Sequence, residues 1–314
     1  MSYKIGIIGA ARRHQGTGPY IARTFANIGH EISGIVGTSE RSINQTLTDL
    51  SNHYGIDTQG YSNFNQLIES HTLDIIVIAS PPGSHLDYLK LAAENNLHIF
   101  CEKPFWWPEN NAFTLTGYEQ TLQAVIDKSK AKQRYIHLNT QWLYTLKDFS
   151  RLHPSAIFNN EIKQFAMHLS PQSEGISMLI DAASHGLSLL YQLVGRGNLN
   201  QIELEKTSNG ALIHFDYEHQ QGITKSTLGF IQSNETPKPA SYQINGHTVN
   251  RTVSLPEYQI QLQSDQQTIA IQDPLDTSIR DFLASIEAGL EPDEDALILG
   301  ARHLYQLIEK YKQE

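Results

Sequence analysis

The stretch Ile75–Pro104, IIVIASPPGSHLDYLKLAAENNLHIFCEKP, sets two short apolar runs on either side of an amphipathic segment. Ile75 to Ala79 is continuously apolar, Gly83 to Asn96 has helical spacing, and His98 to Cys101 reads as another strand. Strands without polar alternation are buried on both faces, and a helix between two of them is the crossover of a parallel sheet. The second run stops at Glu102-Lys103-Pro104. Proline donates nothing to a sheet ladder and drives the residue before it out of helical geometry, so Lys103 sits at the strand tip. Open α/β sheets bind ligands at the carboxyl ends of their strands. A lysine there serves as an ion-pair partner, a phosphate contact or a proton-transfer group.

The same alternation extends toward the N-terminus. Ile5 to Gly9 and Glu31 to Val36 read as strands, and Pro19 to Ile28 as a helix. Ser39 to Tyr54 is a second helix with Ser39 as a candidate N-cap. Thr116 to Lys132 adds a helix and Tyr135 to Leu138 a last strand, which completes a doubly wound parallel sheet. Beyond Glu161 the pattern changes. Ile162 to Leu169 alternates, Met178 to Leu193 is helical, and strand-like runs follow at 201–206, 211–217, 224–232, 242–245, 248–255, 258–263 and 268–272. Short polar turns such as Asn245-Gly246-His247 join them as a mainly antiparallel sheet. Helices at Thr277–Ala288 and Asp293–Lys312 close the chain. The fold class is α/β, with a first domain over 1–125, a second, α+β domain over 126–314, and the C-terminal helices packing back on the first.

The length of 314 residues suits two domains. No run approaches the ~20 apolar residues of a membrane span. The opening Met1-Ser2-Tyr3-Lys4-Ile5 enters a strand without a basic region, so no secretory leader is expected. A single cysteine, Cys101, excludes an intrachain disulfide and a cysteine-built zinc site, and suits the cytoplasm. A net charge of −10 argues against binding nucleic acid, which needs clustered Lys and Arg. The histidines have no metal-ligand spacing, and no metal is expected.

The first strand ends in Gly9-Ala10-Ala11-Arg12-Arg13-His14-Gln15-Gly16-Thr17-Gly18-Pro19. This is a lengthened variant of the glycine turn that brings backbone close to a pyrophosphate at a helix N-terminus; Ala11 replaces the second glycine, and a plain strand–helix turn is the alternative. Pro19 fits the first turn of that helix. An NAD enzyme usually carries an acidic residue at the end of its second strand. Here the chain reads Val36-Gly37-Thr38-Ser39-Glu40-Arg41. Two hydroxyls and Arg41 suit a 2′-phosphate, and Arg12 and Arg13 add charge, whereas Glu40 opposes it and Ser39 is also an ordinary cap. NADP is favoured over NAD. The rigid turn Ser80-Pro81-Pro82-Gly83 offers a rest for a cofactor ribose, and His85 either joins it or caps the next helix.

Taken in order, the glycine turn, Ser80-Pro81-Pro82-x-x-His85, Cys101-Glu102-Lys103-Pro104 and the later Asp181-Ala182-Ala183-Ser184-His185 resemble the Gfo/Idh/MocA family of nicotinamide-dependent oxidoreductases. The resemblance covers essentially the whole chain, including Arg280-Asp281-Phe282 and Ala288-Gly289-Leu290-Glu291-Pro292. It implies an N-terminal Rossmann domain and a catalytic set of Lys103, Asp181 and His185. It also implies cofactor contacts from Gly9, Ala10, Ala11, Arg12, Arg13, Thr38, Ser39, Arg41, Ser80, Pro81, Pro82, His85, Glu102 and Lys103. Asn139, Gln141 and Trp142 resemble its substrate-facing segment. Asp181 and His185 are four apart and share one helix face, so a carboxylate there can orient the imidazole or a substrate hydroxyl. Histidine can exchange a proton near neutral pH, and Lys103 can stabilise charge on the same oxygen or act as the base.

The expected activity is hydride transfer between NADP or NAD and a secondary alcohol or carbonyl of a sugar, polyol or cyclitol. Departures from the family pattern keep other readings open. Ser173-Glu174-Gly175-Ile176-Ser177 holds one glycine where the family is often glycine-rich, and Ser188 stands where many members are acidic. A dinucleotide-binding sensor without turnover is one alternative; a redox-neutral lyase, epimerase or glycosidase is another. An open sheet exposing an apolar face predicts a homodimer or homotetramer through the C-terminal sheet.

Overall fold

Short apolar runs separated by helices build the first part of the chain into one parallel sheet. The structure, a computed structural model, describes residues 2–11, 16–109, 113–157, 161–254 and 259–314. In chain order the elements begin with β1 (Lys4–Ile8), α1 (Gly18–Asn27), β2 (Glu31–Val36), α2 (Glu40–Tyr54), β3 (Gln59–Tyr61) and α3 (Phe64–Ser70). Next come β4 (Ile75–Ile78), α4 (His85–Glu94), β5 (His98–Glu102), α5 (Leu115–Ala131) and β6 (Ile136–Asn139). Then follow α6 (Leu146–Leu152), α7 (Pro154–Ile157), β7 (Gln164–Leu169), α8 (Ile176–Val194), β8 (Gly197–Thr207), β9 (Gly210–His219) and β10 (Gly222–Ile231). The chain closes with β11 (Ala240–Ile244), β12 (His247–Ser254), β13 (Gln259–Gln263), β14 (Thr268–Ala270), α9 (Pro274–Glu287) and α10 (Glu294–Gln313).

The chain divides into two units, Met1–Asn139 with Ser278–Glu294, and Thr140–Thr277 with Asp295–Glu314. The first holds a six-stranded sheet in the order β3-β2-β1-β4-β5-β6, parallel throughout. Every residue of β4 and β5 is buried, the apolar run of β4 and the Ile99–Cys101 centre of β5 together with His98 and Glu102 at its ends. Strand order reverses between β1 and β4, which is the switch point where such sheets open a ligand crevice. Phe25 of α1, Phe100 of β5 and Phe282 of α9 meet edge to face at centroid distances of 5.4–6.5 Å. The aromatic of Arg280-Asp281-Phe282 is thus a core anchor of this unit.

Two features correct the sequence reading here. The boundary expected at 125/126 falls inside α5, and β6 pairs with β5 from Ile99↔Ile136 to Glu102↔Asn139, so the first unit runs to Asn139. Of the two C-terminal helices, only the stretch Ser278–Glu294 counts with the first unit, and α10 from Asp295 onward belongs to the second. Strand β3 and helix α3 escaped the sequence reading because Gln59-Gly60-Tyr61 is a three-residue, partly exposed edge strand with no apolar run.

The second unit holds an eight-stranded sheet ordered β14-β13-β12-β11-β7-β10-β9-β8. Only the β7–β10 pair is parallel. Asn245 and Gly246 both take positive φ, 49° and 83°, which gives the two-residue hairpin between β11 and β12. Helix α8 covers one face, with Gly186 against Leu228 and Met167. By register, the opposite face carries His168, Ser241, Gln243, Thr227, His214, Lys225, Asp216 and Glu203. That face is largely polar, though Ala166, Leu212 and Ile223 also lie on it and Ile223 is 50% exposed. Among the described residues no helix is long and apolar enough to cross a membrane.

Candidate functional site

In the first unit, β1 delivers the chain to a close-packed turn. Gly9 has φ +82°, and a Cβ there would stand 2.6 Å from the backbone of Ala79. A Cβ on Gly18 would meet Ala10 Cα at 2.8 Å and collide with the Gly9 carbonyl. Glycine is therefore required twice where the β1 turn, the β4 end and the start of α1 converge. Ala10 is buried and Ala11 half-buried, while Arg12, Arg13 and His14 lie outside the described residues. Thr17 occupies the N-cap of α1 but makes no side-chain cap. Its hydroxyl donates instead to Glu102 Oε1 at 2.7 Å.

At the end of β2, Thr38, Ser39 and Arg41 are exposed. Ser39 Oγ accepts from the Ser42 N–H at 3.3 Å and caps α2, so the capping role is real. Past β4, Pro81 is exposed, Pro82 is half-buried, and the Ser80 and Ser84 hydroxyls are bonded at 2.8 Å. His85 corrects the sequence reading. It is 0% exposed, with Nδ1 3.0 Å from the Pro104 carbonyl and Nε2 2.7 Å from the Ser80 carbonyl. Burial lowers its pKa, against the carbonyl bonds that favour the charged form. His85 ties the loop after β4 to the loop after β5 and presents no surface to a cofactor.

Glu102 closes β5 as a buried carboxylate. Its Oε1 also accepts from Asn139 Nδ2 at 2.6 Å. Asn139 Oδ1 accepts from the Ser278 hydroxyl at 2.9 Å, and Ser278 in turn is 2.9 Å from His137 Nε2. The serine proton is committed to Asn139, so His137 is the donor in that last bond. Burial raises the Glu102 pKa, and the neighbouring Lys103 charge with the Thr17 and Asn139 bonds pulls it back. Asn139 was expected to face substrate; it is wholly buried and spends its amide on Glu102. Lys103, next in the chain and half-buried, stands at the β5 tip.

In the second unit, Asp181 and His185 occupy successive turns of α8, Asp181 exposed and His185 half-buried. His185 Nδ1 is 2.6 Å from the Thr140 carbonyl oxygen. The Ser188 hydroxyl folds back onto the His185 carbonyl at 3.0 Å, a use internal to the helix. Trp142 was expected to face substrate but is 8% exposed, set edge-on to Tyr242 at 6.0 Å with Arg251 5.8 Å over its ring. Gln141 is half-buried. The cavity beside them, walled by Thr145, Arg251, Ile260 and Leu262 as well, measures about 30 Å³, space for a water rather than a sugar. Among the described residues no His/Cys/Asp/Glu group is arranged to hold a metal.

The sequence reading did not anticipate Thr17, Thr140 or Ser278. Two act through hydroxyls on distant partners and one through its backbone, and no local pattern marks such contacts.

A parallel sheet in this order, with a glycine turn at its switch point and an uncapped helix behind it, defines a nucleotide-binding fold of the Rossmann type. Residues 3–133 match the model of the Gfo/Idh/MocA oxidoreductase family, NAD-binding Rossmann fold. A D-xylose 1-dehydrogenase (NADP(+)) 2 from Haloferax volcanii is 33% identical over 75 residues, 24% of this chain and 22% of that protein. The chain thus matches only about a fifth of the length of that relative. Over the whole chain the fold is that of myo-inositol 2-dehydrogenase from Lactobacillus plantarum, with TM-score 0.74, 15% identity, and 100% of this chain and 98% of that one covered. It is also that of scyllo-inositol dehydrogenase from Lactobacillus casei, solved with NAD(H) and scyllo-inositol, with TM-score 0.72, 14% identity, and 100% and 98% covered.

Proposed function

We propose that this protein is an NAD(P)-dependent dehydrogenase acting on a secondary alcohol or carbonyl of a sugar, polyol or cyclitol. The observation that carries the reading is the close-packed glycine turn at the switch point, with Lys103 at the tip of β5. The residues fit a dinucleotide. Thr17 spends its hydroxyl on Glu102 rather than on capping α1. The positive end of that helix is therefore left to an anion, as a pyrophosphate requires. Gly9, Ala10 and Ala11 would line the pyrophosphate, and Ser80, Pro81 and Pro82 a ribose. When bound, the nicotinamide supplies the hydride donor or acceptor. Lys103 stabilises charge on the substrate oxygen, His185 takes or returns its proton, and Asp181 holds a substrate hydroxyl.

NADP is the preferred form in this reading. Thr38 and Arg41 are exposed at the end of β2, where a carboxylate would select NAD. A xylose dehydrogenase relative described as NADP-dependent agrees. Calorimetric titration of the full chain with NADPH and NADH should give saturable binding, tighter for NADPH, and no binding of either overturns the proposal. With binding in hand, a screen of pentoses, inositols and their ketones should change nicotinamide absorbance. Lys103→Ala and His185→Ala should each lower kcat by about 10²–10⁴-fold with cofactor affinity nearly unchanged. Saturable binding without turnover on any carbonyl or alcohol would favour the sensor alternative.

A further inference from the structure

The chain leaves β6 through an unusual reversal. Gln141 has φ +62° and ψ −51°, and the Trp142 N–H donates to the Thr140 carbonyl at 2.7 Å. A bond between residues two apart around a positive-φ centre is a γ-turn of the rare, strained kind. Residues other than glycine keep such a conformation only where their surroundings over-determine it, and these positions gather at functional sites. The carbonyl closing this turn is the same one that stands 2.6 Å from His185 Nδ1.

A carbonyl oxygen has lone pairs and no proton. At 2.6 Å, the nitrogen facing it must carry the hydrogen. A neutral imidazole has one N–H, so its other nitrogen is then an acceptor. We propose that Thr140 is a positioning residue: its backbone carbonyl, aimed by the γ-turn at Gln141, holds His185 in the Nδ1–H form and makes Nε2 the proton-accepting atom. The orienter of the imidazole is thus a main-chain carbonyl. The catalytic consequence rests on the dehydrogenase reading above. As a substrate hydroxyl gives up its proton, the proton moves to the Nε2 lone pair and the O–H electron pair stays on oxygen. His185 becomes an imidazolium with both nitrogens protonated. Its Nδ1–H bond to Thr140 then becomes charge-assisted and strengthens as the transition state is approached.

The test reads the tautomer directly, without substrate or cofactor, so it stands or falls apart from the dehydrogenase reading. The full chain is labelled with ¹⁵N-histidine, and long-range ¹H–¹⁵N correlations are recorded above the titration range of imidazole. His185 is assigned by its disappearance in His185→Asn. The expected pattern is a protonated Nδ1 and an unprotonated Nε2 in a single tautomer. An Nε2–H tautomer, or an averaged mixture, overturns the proposal. Gln141→Gly takes φ +62° freely and should keep the single tautomer. Gln141→Val cannot hold that φ and should lose it to a mixture, and an unchanged spectrum in a folded Gln141→Val protein refutes the role of the turn. If the valine variant does not fold, the unsubstituted protein and Gln141→Gly still decide the matter.

Discussion

Glu102 shows how much depends on one buried carboxylate. It takes two donors on a single oxygen, the Thr17 hydroxyl and the Asn139 amide, and burial raises its pKa despite them. Removing a donor from a buried charge costs more than a typical hydrogen bond, because the acceptor stays out of water. Asn139→Ala should therefore lower stability by about 2–3 kcal/mol in urea unfolding. It should also raise the Glu102 pKa further, seen as a shift of its carboxyl resonance to higher pH. A loss below about 0.5 kcal/mol would mean that water replaces the amide. The substitution also leaves Ser278 without its acceptor, so Asn139→Ala and Ser278→Ala should not add.

At the scale of elements, two substitutions separate local from long-range stabilisation. Ser39 caps α2, and Ser39→Ala should cost about 1 kcal/mol in thermal or denaturant unfolding. The NADPH:NADH affinity ratio measured on the same variant tells whether that hydroxyl also meets a 2′-phosphate. Phe282 of α9 is fully buried between Phe25 and Phe100. Phe282→Ala leaves a cavity in the first unit and should cost about 3–5 kcal/mol. A small effect would mean that α9 contributes little to this core. The turn after β1 belongs to this scale too, since Gly9 is needed for packing against Ala79 whether or not a cofactor is bound.

Over the whole molecule, buried histidines set the response to acid. Burial lowers His137 to about 3, and lowers His98 and His303 to about 4. Each folded value lies below the ordinary 6.5, so the unfolded chain binds the extra proton. The sign follows: this stability is complete above pH 6.5 and is lost as pH falls toward 4 and then 3. His137 alone, fully buried, should contribute a slope of about 1.4 kcal/mol per pH unit inside that window. Unfolding free energies measured between pH 7 and 4 should fall steeply, and His137→Phe should remove about one proton from the slope. An unchanged slope would place His137 in contact with water. The pair His137–Ser278 joins β6 to α9.

What the sequence alone determined is what local pattern can encode. The buried strands β4 and β5, the helix between them, the glycine turn after β1, Lys103 at a strand tip and the Asp181/His185 helix all follow from apolar runs, periodicity and Gly/Pro punctuation. The edge strand β3 was too short and polar to register. The tertiary structure decided the partners. Thr17 and Glu102 are 85 residues apart, Asn139 and Ser278 139 apart, and Thr140 and His185 45 apart. His85 looked like a surface residue at a helix start and proved to be an internal brace. Asn139 spends its amide on Glu102, and Trp142 packs edge-on to Tyr242 beside the small cavity. A side chain's role depends on what the folded chain brings against it, and a carbonyl aimed by a γ-turn at Gln141 leaves no mark in residue type.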